Sequence, residues 1–459
     1  MNVLLTIPYK PGFSTDGLQS LGIGMLAAVL VRQGHKVKVL DLTVDQKTPE
    51  EFGEAVRQFS PDLVGFTAVS PTVEYVYNHL VPQVYQHSKA KVIIGGPHPT
   101  ALPDEGLSHV DFVARGEGET TIVDLCANGL NPAKVQSLSY KDSNGQIVHN
   151  DAQEFIKDLD ALPFPERDLF PPLNRYRGLP SWGNKVIGNL SSSRGCYGRC
   201  SFCSNAVFGR HCRFRSAESV AEEWELLVKK YGAEVITMSD DHFTALAKRV
   251  REICALLEQK HLTHIPWTCS NGIRVETATP ELLTLMKKSG CRAVAFGIES
   301  GCQEVLDAMG KHITIEKIRT AVHNARQAGI QTITGFFILG TPWDTVQTLD
   351  KTIAFAKSLP LDYAQFTIAM PFPGTLMREQ VKDHMLDIPY SEYGAHEGVV
   401  YFETEALKKA DVLRAFSKAY RGFYMRPSVV YRHLKRVISN PSVMTSYVNG
   451  AKRFILPKN

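Results

Sequence analysis

Three thiols crowd one short loop. The run Arg194-Gly195-Cys196-Tyr197-Gly198-Arg199-Cys200-Ser201-Phe202-Cys203 sets its cysteines at CxxxCxxC spacing, directly after the strand-like stretch Val186-Ile187-Gly188-Asn189-Leu190. Thiolates suit an iron–sulfur cluster, and a four-iron cluster ordinarily takes four of them. Three in a single loop therefore leave one iron open to a ligand that is not a side chain. Two plainer readings stay open on these residues alone: a zinc site completed by Cys212 or His211, and three reduced surface thiols. No second CxxC knuckle, which zinc sites more often use, is present.

The remaining cysteines set the context. Nine in 459 residues, an odd number without regular spacing, argue against a disulfide scaffold and for a reducing compartment. Met1 to Pro8 lacks the basic start and long apolar region of a signal peptide and reads as a strand. No apolar run is long enough to span a bilayer, so a cytoplasmic enzyme is expected. The length exceeds one comfortable core and predicts two domains with an appendage. A formal charge of +4 says little about partners. No aromatic base-stacking platform is recognisable, and no nucleic acid is expected.

Residues 1–135 alternate short apolar strands with amphipathic stretches, the pattern of a parallel sheet covered by helices. Strands are predicted at 3–8, 36–42, 63–68, 91–95 and 112–114, with helices at 18–33, 49–59, 73–87 and 120–127. The layout is doubly wound and flavodoxin-like, with its ligand beyond the carboxyl ends of the strands. Those ends carry Tyr9 to Ser14, Thr67 to Thr72 with Ser70, Gly95-Gly96-Pro97-His98 and Gly116-Glu117-Gly118-Glu119. Small residues there let the backbone approach a large planar or phosphorylated ligand, although glycine is also common in plain turns. From 136 to 185 the periodicity weakens into a linker, with a hairpin tip at Asp142-Ser143-Asn144-Gly145 and an extended connector at Leu162-Pro163-Phe164-Pro165.

Strand–helix repeats resume over 186–385, with strands at 186–190, 234–239, 267–271, 293–298, 332–339 and 363–370. Six units predict a partial (βα)6 barrel whose site lies at the carboxyl ends of its strands. Asp240 and Asp241 follow the second strand, where a carboxylate pair also serves as a helix cap. Asn271 and Arg274 follow the third, and an arginine is well shaped to pair with a carboxylate. Glu299 ends the fourth; a carboxylate there is costly unless something donates to it, and a ribose diol supplies two donors. Residues 386–459 form a basic helical region: from Ala406 onward twelve lysines and arginines face Asp411 alone. Val412, Leu413, Phe416, Tyr420, Phe423 and Tyr424 recur at helical spacing, and the favoured reading is a helix docking this stripe on the barrel. The alternative is peripheral contact with an anionic membrane, which would point to a lipid or isoprenoid substrate.

The cysteine loop, with Phe202 before its last thiol, closely resembles the radical S-adenosylmethionine enzymes, and Gly297-Ile298-Glu299-Ser300 resembles that family's Gly-Ile-Glu-Ser segment. The Gly-Gly-Pro-His and Gly-Glu-Gly-Glu loops ahead of it look like the cobalamin-binding domain of the cobalamin-dependent subfamily, and the likeness runs from residue 1 to about 430. The resemblance implies that Cys196, Cys200 and Cys203 hold a 4Fe-4S cluster whose open iron is chelated by S-adenosylmethionine. It implies an external electron donor such as flavodoxin or ferredoxin, reductive cleavage to a deoxyadenosyl radical, and hydrogen abstraction from an unactivated carbon. By position, Asp240, with Asp241 second, would meet the amino group of S-adenosylmethionine, while Asn271, Arg274 and Glu299 would meet its carboxylate or ribose. Ser70, Gly95, Gly96, Gly116 and Glu117 would meet cobalamin. No Asp-x-His-x-x-Gly signature follows the first strand, so cobalamin is expected without a histidine beneath cobalt, and His98 is not given that role. The implied reaction is methyl transfer from methylcobalamin to a small natural-product or lipid substrate. Alternatives are oxidative cyclisation of the porphyrin monomethyl ester type and, from another class, a non-catalytic metal or cobalamin sensor.

Overall fold

The computed structural model describes residues 1–11, 17–176, 178, 182–394 and 398–439. Its first sheet is built from β1 (Asn2–Ile7), β2 (Lys36–Asp41), β3 (Leu63–Thr67), β4 (Lys91–Gly95) and β5 (Phe112–Ala114), all parallel in the order β2-β1-β3-β4-β5. Consecutive apolar residues in these strands feed opposite faces. Leu4, Val64 and Ile94 join one core and Val3, Leu5, Leu63 and Ile93 the other, so the sheet is covered on both sides, as the unbroken apolar runs require. The loop residues Gly12 to Ser14 lie outside the described residues.

The sheet does not end where the linker was expected to begin. β6 (Leu138–Lys141) pairs antiparallel with β5, and β7 (Ile147–His149) with β6, so the hairpin belongs to the first sheet. The Asp142 carboxylate turns the chain by accepting from the Asn144 and Gln146 amides, both at 2.8 Å. A two-stranded hairpin is marginal by itself, and the open edge of β5 supplies the missing neighbour. The first sheet thus extends to His149.

The second sheet runs in chain order: β8 (Ile187–Leu190), β11 (Val235–Met238), β12 (Trp267–Ile273), β13 (Cys291–Glu299), β14 (Thr332–Leu339) and β15 (Tyr363–Ile368), all parallel. Two short strands, β9 (Ser193–Arg194) and β10 (Arg213–Phe214), pair antiparallel just beyond β8. Closed barrels fill their bore with bulky branched side chains. Here Thr237, Thr268, Ser270, Ala293, Ala295 and Thr334 line the bore, and it stays hollow.

The connector welds the two sheets together. The buried Arg167 donates to Gln19 Oε1 at 3.0 Å, to the Asn189 carbonyl at 2.6 Å and to Glu223 at 2.8 Å. Tyr176 donates to Asp41 at 2.8 Å. At the other end of the chain the helix Lys409–Tyr424 docks its apolar stripe on β15, where the Tyr420 and Tyr424 hydroxyls donate to the Phe366 and Ala364 carbonyls, each at 2.9 Å. The lipid-seating alternative thereby loses the stripe on which it rested. Among the described residues between 386 and 402 the only helical turn is the short 3-10 turn Tyr390–Glu392, in contrast to expectation; Tyr393, Tyr401 and Phe402 pack there with Met377. Lys452, Arg453 and Lys458 lie outside the described residues. Among the described residues no helix is long and apolar enough to cross a membrane.

Candidate active site

The cysteine loop hangs between β9 and β10, whose pairing of Arg213 with Arg194 brings its two ends together. Three backbone bonds fix it from different elements. Gly195 N donates to Asp241 at 3.1 Å, Ser201 N to the Met309 carbonyl at 2.9 Å, and Met377 N to the Ser201 carbonyl at 2.9 Å. Phe202 is the loop's apolar anchor, packed against the clusters around Tyr401 and Met309. A side chain at Gly198 would start 2.9 Å from Arg274 Nη1, 3.4 Å from Cys196 Sγ and 3.8 Å from Cys200 Sγ. Two sulfurs and a guanidinium thus border a space that only glycine leaves open.

The described residues contain no group of three His, Cys, Asp or Glu drawn together around a single ion. Cys212, one of the two suggested fourth zinc ligands, turns its thiol to the Gly195 carbonyl at 3.4 Å. An open set of three thiols, two of them bordering the space at Gly198, fits a cluster that spreads its ligands over several irons. Burial pushes the Cys200 thiol up, whereas Cys203 stands exposed at the end of the loop. Lys311 and Arg274 beside Cys200 act in the opposite direction, the sign of charge that a set of thiolates calls for.

The strand ends sort the candidate carboxylates differently from sequence order. Asp240, the favoured contact for an amino group, is buried and accepts from Ser192 N at 3.1 Å, from Ser192 Oγ at 2.7 Å and from the Ser193 hydroxyl. It ties the end of β11 to the end of β8 and does not face the cavity. Asp241 does line the cavity, as does Asn271, and burial raises the Asp241 carboxyl. Arg274 donates to Glu276 at 2.6 Å and to the Lys311 carbonyl at 3.0 Å, with its guanidinium 5.3 Å from the centre of the Tyr197 ring. Glu299 is buried at the tip of β13 and accepts from Lys311 Nζ at 2.7 Å. Sequence reasoning gives no role to Lys311 or His242. Nothing periodic marks a lysine 12 positions after Glu299, and His242 stands beside a more conspicuous carboxylate pair.

One cavity of about 1960 Å³ reaches from the carboxyl ends of the first sheet into the bore of the second, where Asn189, Thr237, Ser270, Ala295, Thr334 and Ala364 line it. Small-molecule pockets usually measure roughly 300–1,000 Å³, so this one has room for a macrocycle beside other ligands. Gly95, Gly96 and Gly116 line it from the first sheet. Gly96 has φ +106° and a Cβ there would meet the Ala68 carbonyl oxygen at 2.7 Å, so the glycine lets the β4 and β3 loops close on each other. The space and its glycine rim fit cobalamin.

Two expected cobalamin contacts are otherwise engaged. Ser70 is buried away from the cavity, its hydroxyl 2.9 Å from His98 Nδ1, and His98 in turn lies 3.1 Å from Glu105. Glu117 reaches the rim, but its carboxylate accepts from Arg194 at 2.7 Å, from Arg213 at 2.8 Å and from Ile156 N at 2.9 Å. It clamps the first sheet to both ends of the cysteine loop. The sequence pattern shows the glycines around it, whereas its two arginine partners lie far along the chain.

Comparison with known proteins agrees with both halves. The model of the radical SAM superfamily matches residues 190–356, and that of the B12 binding domain matches residues 16–126. An uncharacterized methyltransferase of Pyrococcus horikoshii is 35% identical over 95% of this chain and 95% of its own. An anaerobic magnesium-protoporphyrin IX monomethyl ester cyclase of Cereibacter sphaeroides is 26% identical over 92% of this chain and 70% of its own. The solved structure of the radical S-adenosylmethionine methyltransferase TsrM from Kitasatospora setae, with cobalamin and a [4Fe-4S] cluster bound, shares the fold with a TM-score of 0.72 at 19% identity, over 94% of this chain and 90% of that one. An enzyme, not a sensor, is what these relatives describe. The cofactors are a 4Fe-4S cluster and S-adenosylmethionine for the barrel and cobalamin for the first sheet. The chain belongs to the radical S-adenosylmethionine superfamily, in the branch that carries a cobalamin-binding domain ahead of the barrel.

Proposed function

We propose that the protein transfers a methyl group to an unactivated carbon of a small biosynthetic substrate, a natural product or a lipid. The observation that carries this reading is one cavity shared by the carboxyl ends of the first sheet and the bore of the second. When bound there, cluster and S-adenosylmethionine supply a hydrogen-abstracting radical, and cobalamin supplies the methyl group. Cys196, Cys200 and Cys203 would hold the cluster, with electrons from an external flavodoxin or ferredoxin. Asp241, Asn271, Arg274 and the Glu299–Lys311 pair would orient S-adenosylmethionine. The backbone at Gly95, Gly96 and Gly116 would receive cobalamin, and the connector would help exclude water.

Oxidative cyclisation without methyl transfer is the second reading, supported by the likeness to the cyclase over 92% of this chain. One experiment separates them. The protein is reconstituted anaerobically with iron, sulfide and cobalamin, reduced with S-adenosylmethionine, and the products are assayed. S-adenosylhomocysteine with a methylated product supports methyl transfer; deoxyadenosine alone supports cyclisation. Absence of a cluster, or of any cleavage of S-adenosylmethionine, overturns both. Cys203→Ala is expected to abolish cluster uptake, and retained cleavage in that variant would refute its ligand role.

A further inference from the structure

His242 is a buried polar side chain with nothing to bond. The residue is 1% exposed, and neither ring nitrogen has a hydrogen-bond partner among the described residues. Buried donors and acceptors are ordinarily paired, because leaving one unpaired forfeits its hydration without return. The surroundings say what kind of partner would suit it. The ring lies against Tyr197 of the cysteine loop, with centroids 5.1 Å apart, and the Arg274 guanidinium stacks on that same Tyr197. Arg274 commits Nε to Glu276 and Nη2 to the Lys311 carbonyl, while Nη1 is directed toward Gly198 and its neighbouring sulfurs.

The imidazole therefore lies within electrostatic reach of Arg274, Glu276 and Lys311, and two of these, Lys311 and Arg274, also act on the Cys200 thiol. Burial first, and then Arg274, holds the ring well below its ordinary range, at about 4, so at neutral pH it is uncharged with one N–H donor. A neutral donor beside a guanidinium matches a small planar anion, since a carboxylate has several lone pairs to share between them. Lys311, the other nearby cation, is already paired with Glu299.

We propose that His242 is a positioning residue that donates a ring N–H to the amino-acid carboxylate of S-adenosylmethionine, alongside Nη1 of Arg274. The assignment rests on the reading of this site as the S-adenosylmethionine site. It adds a contact from the segment after β11 that is separate from Asp240 and Asp241. His242→Phe keeps the packing on Tyr197 and removes the donor; His242→Gln keeps a donor of similar reach.

The test uses full-length protein reconstituted with its cluster. Iron per chain, the dissociation constant for radiolabelled S-adenosylmethionine by equilibrium dialysis, and the change that S-adenosylmethionine makes in the EPR spectrum of the reduced cluster are measured for native protein and both variants. The expected result is native iron content in both variants, affinity weakened roughly 10- to 100-fold in His242→Phe with a reduced EPR response, and recovery of most of both in His242→Gln. Native affinity and an unaltered EPR response in His242→Phe overturn the proposal. So does loss of iron in both variants, which would assign the ring to supporting the loop. If the native protein takes up a cluster but binds no S-adenosylmethionine, the site reading fails; if it binds normally and neither variant changes it, only the role of His242 fails.

Discussion

Glu299 shows how a single residue carries the strain of a site. Its φ of +64° is left-handed, unusual for a glutamate, and the β13–β14 register shifts between Gly297 and Glu299. The bulge turns the carboxylate onto Lys311, and Gly297 leaves room for the pair: a Cβ there would lie 2.6 Å from Glu299 Oε1 and 2.9 Å from Lys311 Nζ. Gly198 has the same logic at the thiols. Gly198→Ala is expected to lower iron uptake on reconstitution to well under half, with the far-UV CD spectrum unchanged; full iron content would show that the loop yields around the added methyl. His242 gives a pH prediction. Its folded pKa lies near 4 against an ordinary 6.5, so between those values the unfolded chain binds a proton that the folded chain refuses. The stability from this group is complete above pH 6.5 and is lost as pH falls through 4, on the order of 3 kcal/mol in all. His242→Gln should flatten the fall in urea midpoint between pH 7 and pH 5, and an unchanged slope would mean that the ring is not held neutral.

At the scale of strands, the tips of β8 and β11 behave as one unit. Asp240 closes it by accepting from three donors on Ser192 and Ser193, whereas Asp241 holds one bond to the cysteine loop and lines the cavity. Asp240→Ala leaves buried donors unpaired and is expected to cost roughly 2–4 kcal/mol in urea unfolding. Asp241→Ala is expected to change stability by less than half of that and to weaken S-adenosylmethionine binding in equilibrium dialysis; the reverse pattern would restore Asp240 as the contact. Adjacent aspartates look alike in sequence, and only the twist of the chain past β11 decides which one faces inward. The strands themselves were legible, because runs such as Val3-Leu4-Leu5 and Val92-Ile93-Ile94 must be buried on both sides. The hairpin was legible at its Asp142–Gly145 tip, but its attachment to β5 was not, since a sheet edge has no sequence signature. The cysteine loop was legible because its three thiols lie close together in the chain. Lys311 and the arginine partners of Glu117 escaped for the opposite reason: they meet their partners only after the chain has folded.

For the whole molecule, the relation between the two sheets depends on a small number of buried charges. Glu117, from the loop after β5, holds Arg194 and Arg213, which stand at the two feet of the cysteine loop, and Arg194 also pairs with Glu119 at 2.5 Å. Ion pairs of this kind do not rank among the strong sources of net stability, because desolvation offsets most of their attraction. Their removal from one side is another matter. Glu117→Ala would leave Arg213 with only carbonyl acceptors and the Phe155 ring, and would strip Arg194 of one of its two carboxylates. Breaking a buried pair in this way costs about 3–5 kcal/mol. The loss would fall where the cobalamin-binding domain meets the cluster loop, so both should loosen together. The expected signature is a lower melting temperature, faster amide hydrogen exchange over residues 150–160 and 194–214, and reduced iron uptake, whether or not cobalamin is present. A Glu117→Ala protein that melts and exchanges like the native one, and differs only in a weaker affinity for cobalamin, would return Glu117 to the cofactor-contact role that its glycine-rich loop implies.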